Sequence, residues 1–357
     1  MAHFFRQLKQ LPKRLLIART DRIGDVILSL PVFEVLKQEL DLHVSVLCQA
    51  FTAPLFNNNP YVDDLISISR AESIESQQSI ILSKGYDAIL VLVNDKTMLH
   101  LLPRLKQIPC RIGPLSKPSA LFHYTHPVRQ KRSTSTQNEA AYNLELLKIF
   151  EIDPPTSIKP RLYLNEEEIQ AFRSKHGELY GQIPHKHHWI AIHPGMGGSA
   201  LNMSFQFYLE VMSGLVSKGF VLFLTGSGKA ETANNDHLIH QLKTEYQPFV
   251  VNVSDRLDLR ELAILLSESR LFIGPSTGPT HLANAVDTPV ISFYPPITVQ
   301  SATRWGPFGY SGRLFTPDVD CGQKYRCIEE KCPHFYCMDQ ISAESVLEQV
   351  QQYLQDA

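Results

Sequence analysis

Apolar positions along this chain gather in short, near-continuous runs that alternate with longer stretches of helical periodicity. "RLLIAR" (14–19), "LHVSVLCQ" (42–49), "DLISIS" (64–69) and "YDAILVLV" (86–93) read as strands. "DVILSLPVFEVLKQEL" (25–40) and "SIESQQSIILSK" (73–84) read as helices, and a further helix is predicted over 137–150. Runs that are apolar on both faces suit a parallel sheet covered by helices. "IDPPTSIKPRLYL" (152–164) carries three prolines and is the best linker candidate.

The same alternation then restarts. "HWIAIHP" (188–194), "FVLFL" (220–224), "FVVNVS" (249–254), "RLFIG" (270–274) and "TPVISFY" (288–294) read as strands. The predicted helices between them cover 204–219, 228–246, 258–269 and 279–286. "SAESVLEQVQQYLQDA" at the end reads as an amphipathic helix with Ser342 as its cap. Alternating strands and helices argue for an α/β protein of two doubly wound domains, 1–160 and 161–340, followed by the helix at 341–357. Ligands of open α/β sheets bind outside the carboxyl ends of the strands. The loops of interest are therefore 20–25, 94–96, 193–204, 225–229 and 274–280.

Composition adds limits. The chain has 357 residues, which suits two domains, and a net charge of -2, so no global field draws it to nucleic acid. No apolar run approaches the roughly 20 residues of a membrane span. The start, "MAHFFRQLKQLPKR", lacks the continuous apolar core of a secretory signal. Its Phe4, Phe5, Leu8 and Leu11 recur near helical spacing among Arg6, Lys9, Lys13 and Arg14. Such a segment either packs on its own domain or rests on an anionic membrane surface. Of six cysteines, Cys48 and Cys110 stand alone, while Cys321, Cys327, Cys332 and Cys337 cluster late. They contain no C-x-x-C pair, so free thiols in a reducing cytoplasm are expected and no metal site. "DVD" (318–320) looks like a metal-binding D-x-D but follows the last core strand.

The candidate chemistry lies in the loops. "LFIGPSTGPTHLANA" is a buried strand, a turn of small residues and a helix start with Pro279 at its first position. A helix N-terminus behind small residues favours an anion, although an ordinary capped turn fits the same residues. "HPGMGGSALN" places Gly195, Gly197 and Gly198 after one strand, and "TGSGK" follows the next. Three such loops after strands of one domain point to a nucleotide diphosphate. In the first domain Gly24 and Asp25 stand between strand and helix, where an aspartate is also a preferred cap.

"ARTDRIGDVILSLP", "HPGMGGSA", "GPSTGPTHLANAVDTPVISFYPP…RWGP" and "CPHFYCMDQIS", in this order, resemble glycosyltransferase family nine, the ADP-heptose:lipopolysaccharide heptosyltransferases. The resemblance covers about residues 14–345. It implies a GT-B fold: two Rossmann-like domains, an inter-domain cleft as active site, and a last helix that crosses back toward the first domain. It also implies inverting transfer without an essential metal or cofactor, and it places the proposed general base on Asp25. The chemistry agrees. An acceptor hydroxyl attacks the anomeric carbon as the nucleotide diphosphate leaves, and a carboxylate must take the hydroxyl proton.

The expected donor site comprises His193, Gly195, Gly197, Gly198, Ser199, Thr225, Gly226, Lys229, Glu231, Ser276, Thr277, Gly278, Thr280 and His281. The expected acceptor site comprises Arg22, Gly24, Asn94 and Lys96, with Arg129, Lys131 and Arg132 of a mobile basic loop. The chain departs from the family in "ALNMS": Leu201 stands where many members carry a base, Met203 for their tryptophan and Ser204 for their proline. Ser276 replaces an aspartate found in other members. Lys229, Arg256 and Arg304 are the candidate replacements for the missing cation.

The function expected is heptose transfer from ADP-heptose to a lipid-linked lipopolysaccharide inner-core acceptor, at the cytoplasmic side of the inner membrane. Alternatives are another nucleotide-sugar donor in surface-glycan assembly, a non-catalytic sugar-nucleotide-binding protein, or a nucleotide-sugar epimerase on the same plan.

Overall fold

A computed structural model describes residues 8, 10–115, 122–155, 158–177, 188–197 and 200–355. The chain divides into two compact units, Met1–Tyr163 and Leu164–Ala357. The boundary falls within the predicted linker, and the last helix belongs to the second unit.

The first unit holds β1 (Arg14–Ala18), β2 (His43–Gln49), β3 (Asp64–Ile68), β4 (Ala88–Val91), β5 (Cys110–Pro114) and β6 (His126–Val128). They pair in the order β3-β2-β1-β4-β5-β6, and every pairing is parallel. This is the doubly wound order, with its reversal between β1 and β4. Ile17 of β1 is level with Val46 on one side and Leu90 on the other. Leu15, Leu16, Ile17 and Ala18 are fully buried. Burying each large aliphatic side chain contributes about 1.5–3 kcal/mol, which is why this strand reads as an unbroken apolar run.

The predicted helix at 25–40 is two helices, α1 (Ile23–Ile27) and α2 (Leu30–Glu39). Pro31 enforces the break, because it lacks the N–H that would bond back to Ile27. Ser29 Oγ donates to the Val26 carbonyl at 2.6 Å. Asn143 Nδ2 donates to the Leu28 carbonyl at 3.1 Å, so an acceptor left by the break is satisfied from elsewhere in the unit. Three more helices complete the elements used below: α3 (Ile74–Ser83), α4 (Lys96–Leu101) and α5 (Glu139–Glu145).

The second unit repeats the plan. It opens with α6 (Glu166–Lys175), whose capping box joins Asn165 and Glu168. Its strands are β7 (Trp189–Ile192), β8 (Val221–Leu224), β9 (Val250–Asn252), β10 (Leu271–Pro275), β11 (Val290–Phe293) and β12 (Gly312–Phe315). The order β12-β11-β10-β7-β8-β9 is again all parallel, with the reversal between β7 and β10. The remaining helices are α7 (Phe205–Ser217), α8 (Gly228–Gln241), α9 (Leu259–Glu268), α10 (Gly278–Ala285), α11 (Ala302–Trp305) and α12 (Ala343–Gln355).

The last helix packs on its own unit. Val346 and Val350 of α12 are buried in the second unit's core with Val211 and Leu215 of α7. Leu347 occupies the space a side chain at Gly214 of α7 would need. The amphipathic face has thus found its partner locally. Ser342 caps this helix as expected, accepting from the Ser345 N–H at 3.1 Å.

Candidate active site

β1 ends at Ala18, and the next residue, Arg19, is fully buried. A guanidinium at that depth must find counter-charges. Arg19 Nε donates to Asp21 Oδ1 at 2.7 Å, and Nη2 donates to Asp25 Oδ1 at 2.8 Å. Nη1 reaches Glu139 Oε1 at 3.3 Å and Asn143 Oδ1 at 3.1 Å, both on α5. Burial opposes the charge on Arg19, but Asp21, Asp25 and Glu139 together hold it firmly protonated.

Asp25 is not a helix cap. Arg22 is the N-cap of α1 and makes no side-chain capping bond, while Asp25 lies in the first turn. Its side chain is 17% exposed, and Arg19 holds only one of its oxygens. Oδ2 accepts no hydrogen bond from the described residues. Burial raises the Asp25 carboxyl to about 7; Asp21 and Glu139 add to the shift, and Arg19 and Arg22 oppose it. The carboxyl therefore takes up a proton far more readily than a solvated aspartate, as a general base should.

The acceptor residues expected from sequence separate into two groups. Arg22, Lys96, Arg129 and Lys131 are exposed, and Gly24 is half-buried beside Asp25. Arg132 is corrected: it turns inward and serves the buried network. Its Nε donates to Gln130 Oε1 at 2.7 Å and its Nη1 to Glu139 Oε1 at 2.5 Å. Its loop is held by a 3-10 turn over Arg132–Thr134 rather than standing as a free basic arm. Asn94 is likewise committed, with Nδ2 donating to the Pro114 carbonyl at 2.8 Å and Oδ1 accepting from the Tyr124 hydroxyl. Asp95 caps α4 through Met98 N–H and accepts from Thr20 Oγ1, both at 2.8 Å.

In the second unit, the loops after β8, β7 and β10 stand at adjacent carboxyl ends. They bracket the strand-order reversal, where such sheets bind ligands. His193 follows β7 and is buried. Its Nδ1 lies 3.1 Å from the Thr225 carbonyl and 3.0 Å from the Thr225 hydroxyl. Burial lowers its pKa, with Glu231 opposing. Glu231, in the first turn of α8, accepts from the Ser227 N–H at 2.9 Å. Its carboxylate fills the space that a side chain at Gly195 would take. Gly195 is thus a close approach between two loops, not a merely permissive turn. Gly226 sits as tightly, since a Cβ there would lie 2.7 Å from Ser254 Oγ.

Gly197 adopts φ +55, and Lys229 is exposed at the start of α8. Gly198 and Ser199 lie outside the described residues. Leu201 packs against the apolar core, and Ser204 caps α7. Asn202 Nδ2 donates to the Pro194 carbonyl at 2.7 Å and braces this loop, a role sequence reasoning missed.

After β10, Thr277 is the N-cap of α10 and makes no side-chain capping bond. Thr277 and Thr280 both turn their hydroxyls to the Pro275 carbonyl, at 3.4 and 2.5 Å. These two hydroxyls therefore brace the turn instead of facing a ligand. Ser276 and Gly278 stay half-buried, and the backbone N–H groups of a first helical turn lack intrahelical partners. His281 is packed into the fold behind this turn. It is buried, burial lowers its pKa to about 4, and its Nδ1 has no hydrogen-bond partner.

Among the described residues no group of three or more His, Cys, Asp or Glu is placed to hold a metal ion. All six cysteines are free thiols, and burial, with Cys321, Cys327 and Cys332 nearby, raises the Cys337 thiol. Among the described residues no helix is long and apolar enough to cross a membrane.

The chain resembles known proteins in sequence and in fold. The sequence model of glycosyltransferase family 9 (heptosyltransferase) matches residues 77–332. A protein of Haemophilus influenzae with a provisional glycosyltransferase name is 28% identical over 309 residues, 83% of this chain and 86% of that one. Lipopolysaccharide heptosyltransferase 2 of Salmonella typhimurium is 24% identical over 299 residues, 79% of this chain and 83% of its own. The solved structure of E. coli ADP-heptose lps heptosyltransferase II superposes with a TM-score of 0.77 at 19% identity, over 96% of this chain and 99% of that one. Two doubly wound parallel sheets, glycine-lined loops at one reversal, a buried carboxylate at the other and the family match agree: the chain is a GT-B glycosyltransferase of family 9, the heptosyltransferase family.

Proposed function

We propose that this protein transfers a heptose from ADP-heptose to a lipopolysaccharide inner-core acceptor, with inversion and without a metal. The first unit supplies the base and acceptor contacts; the second binds the nucleotide sugar. The observation that carries the reading is the Asp25 carboxylate, with Oδ1 held by Arg19 at 2.8 Å and Oδ2 uncommitted. A fixed carboxylate with one free oxygen is what proton removal from an attacking hydroxyl requires. The departing diphosphate develops negative charge, and the backbone N–H groups of the 276–281 turn, with exposed Lys229, supply the compensation. The lipid-linked acceptor places the reaction at the cytoplasmic face of the inner membrane, with the exposed Arg129 and Lys131 meeting its anionic groups.

Isothermal titration of the full chain with ADP, UDP and GDP tests the donor. ADP should bind at least about tenfold more tightly than the other two, a difference of about 1.4 kcal/mol. Equal, millimolar binding of all three overturns the assignment.

A further inference from the structure

We propose that Asp21 is a second acidic member of the site, a positioning residue that shares the Arg19 guanidinium with Asp25 and sets how strongly Asp25 takes a proton. The inference rests on the reading of Asp25 as the base.

The geometry is specific. The Nε–Nη2 edge of an arginine commonly takes both oxygens of one carboxylate. Here it takes one oxygen from each of two: Asp21 Oδ1 at 2.7 Å on Nε and Asp25 Oδ1 at 2.8 Å on Nη2. One planar edge therefore fixes both carboxylates side by side. Asp25 keeps its second oxygen uncommitted, and the two side chains are 18% and 17% exposed.

The surrounding charges leave the pair short of cations. Glu139 on α5 faces Arg19 from the other edge, and Arg132 bonds Glu139. Asp95, from the loop before α4, faces Asp21, and exposed Arg22 is the further cation near Asp25. Two inward guanidinium groups thus serve three carboxylates. Like charges held together in a water-poor site resist joint ionisation, so a proton on one favours the charge on the other. Burial is the largest cause of the raised Asp25 carboxyl and Asp21 the next; Asp21 is raised in turn, first by burial. Arg19 alone would pull Asp25 toward a weakly basic carboxylate. Asp21 offsets that pull while Arg19 still fixes the orientation.

The test is a carbon-13 NMR titration of the full chain labelled at aspartate carboxyl carbons, with Asp25→Asn giving the assignment. Asp21→Asn should lower the Asp25 midpoint by about one pH unit or more, and Asp25→Asn should lower the Asp21 midpoint by the same amount. The acid limb of kcat/KM should move down with it, so that activity at pH 6, relative to pH 8, rises about fivefold. Asp21→Glu, which keeps the charge, should restore much of the original midpoint. An Asp25 midpoint that stays put in folded Asp21→Asn overturns the proposal. If that variant fails to fold, the Asp21 midpoint in Asp25→Asn decides in the same way. Coupled midpoints together with full transfer by Asp25→Asn would instead remove the base assignment and leave the coupling standing.

Discussion

Arg19 Nη2 donates to Asp25 Oδ1 at 2.8 Å, from a buried guanidinium that directly follows the buried Leu15–Ala18 run of β1. The contact ties the proposed base to the rigid centre of the first sheet instead of to a surface loop. Arg19 also bonds Asp21, Glu139 and Asn143. Removing the guanidinium with Arg19→Met should destabilise the first unit by about 3–5 kcal/mol, because buried carboxylates lose their counter-charge. Arg19→Lys keeps the charge but cannot span the same partners. It should fold and lose transfer by at least about tenfold with little change in ADP affinity. Urea denaturation and steady-state kinetics check both outcomes.

Asp25 also makes stability depend on pH. Its carboxyl is raised from 3.8 to about 7, so the folded chain keeps the proton over a range where the unfolded chain has released it. The contribution to stability is therefore present below the lower value and is lost as pH rises through the upper one. Asp25→Asn should accordingly be more stable than the parent at pH 8, and the difference should shrink toward pH 4. Thermal denaturation at the two pH values measures it.

His281 gives the opposite slope in the second unit. It is buried, and its pKa falls from 6.5 to about 4. As pH drops through that interval the unfolded chain gains a proton that the folded chain refuses, so stability falls. Between pH 6.5 and 5 the loss should reach about 1.5 kcal/mol, the slope approaching 1.36 kcal/mol for each unit between the two values. His281→Phe should flatten the dependence over this interval in denaturant unfolding.

Much of the fold was legible because buried parallel strands are nearly unbroken apolar runs. Leu15–Ala18 and Ile190–Ile192 show this most plainly, with every residue fully buried. β5, β6 and β12 were not legible. β6 is three residues including Pro127, tolerable at a sheet edge, and β12 is an edge strand beginning at Gly312. The loops of the proposed donor site were singled out by Gly195, Gly197, Gly226 and Gly278. Whether a hydroxyl or a ring turns inward is set by packing, so the Thr280 hydroxyl bond to Pro275 and the burial of His281 were not legible. The network behind Asp25 was missed because Arg19 meets Glu139 and Asn143 across a large sequence separation. Its trace was an arginine closing an apolar strand, with Asp21 and Asp25 soon after.

Gly195 joins two loops of the proposed donor site. A methyl group there would overlap the Glu231 carboxylate, which accepts from the Ser227 N–H at 2.9 Å. Gly195→Ala must displace that side chain, which is flexible, so the fold should survive with a loss within about 1 kcal/mol. Nucleotide affinity should fall by about tenfold, because the loops move apart where the ligand is expected. Titration with ADP alongside a melting curve separates the two effects.

The central claim is that Asp25 removes the acceptor proton while the second unit holds the donor. Its most direct test is Asp25→Asn, measured for ADP binding and for heptose transfer in the same preparation. ADP affinity should stay within about twofold of the parent while transfer falls by about 10²–10⁴ or more. Transfer at the parental rate with intact ADP binding would contradict the account.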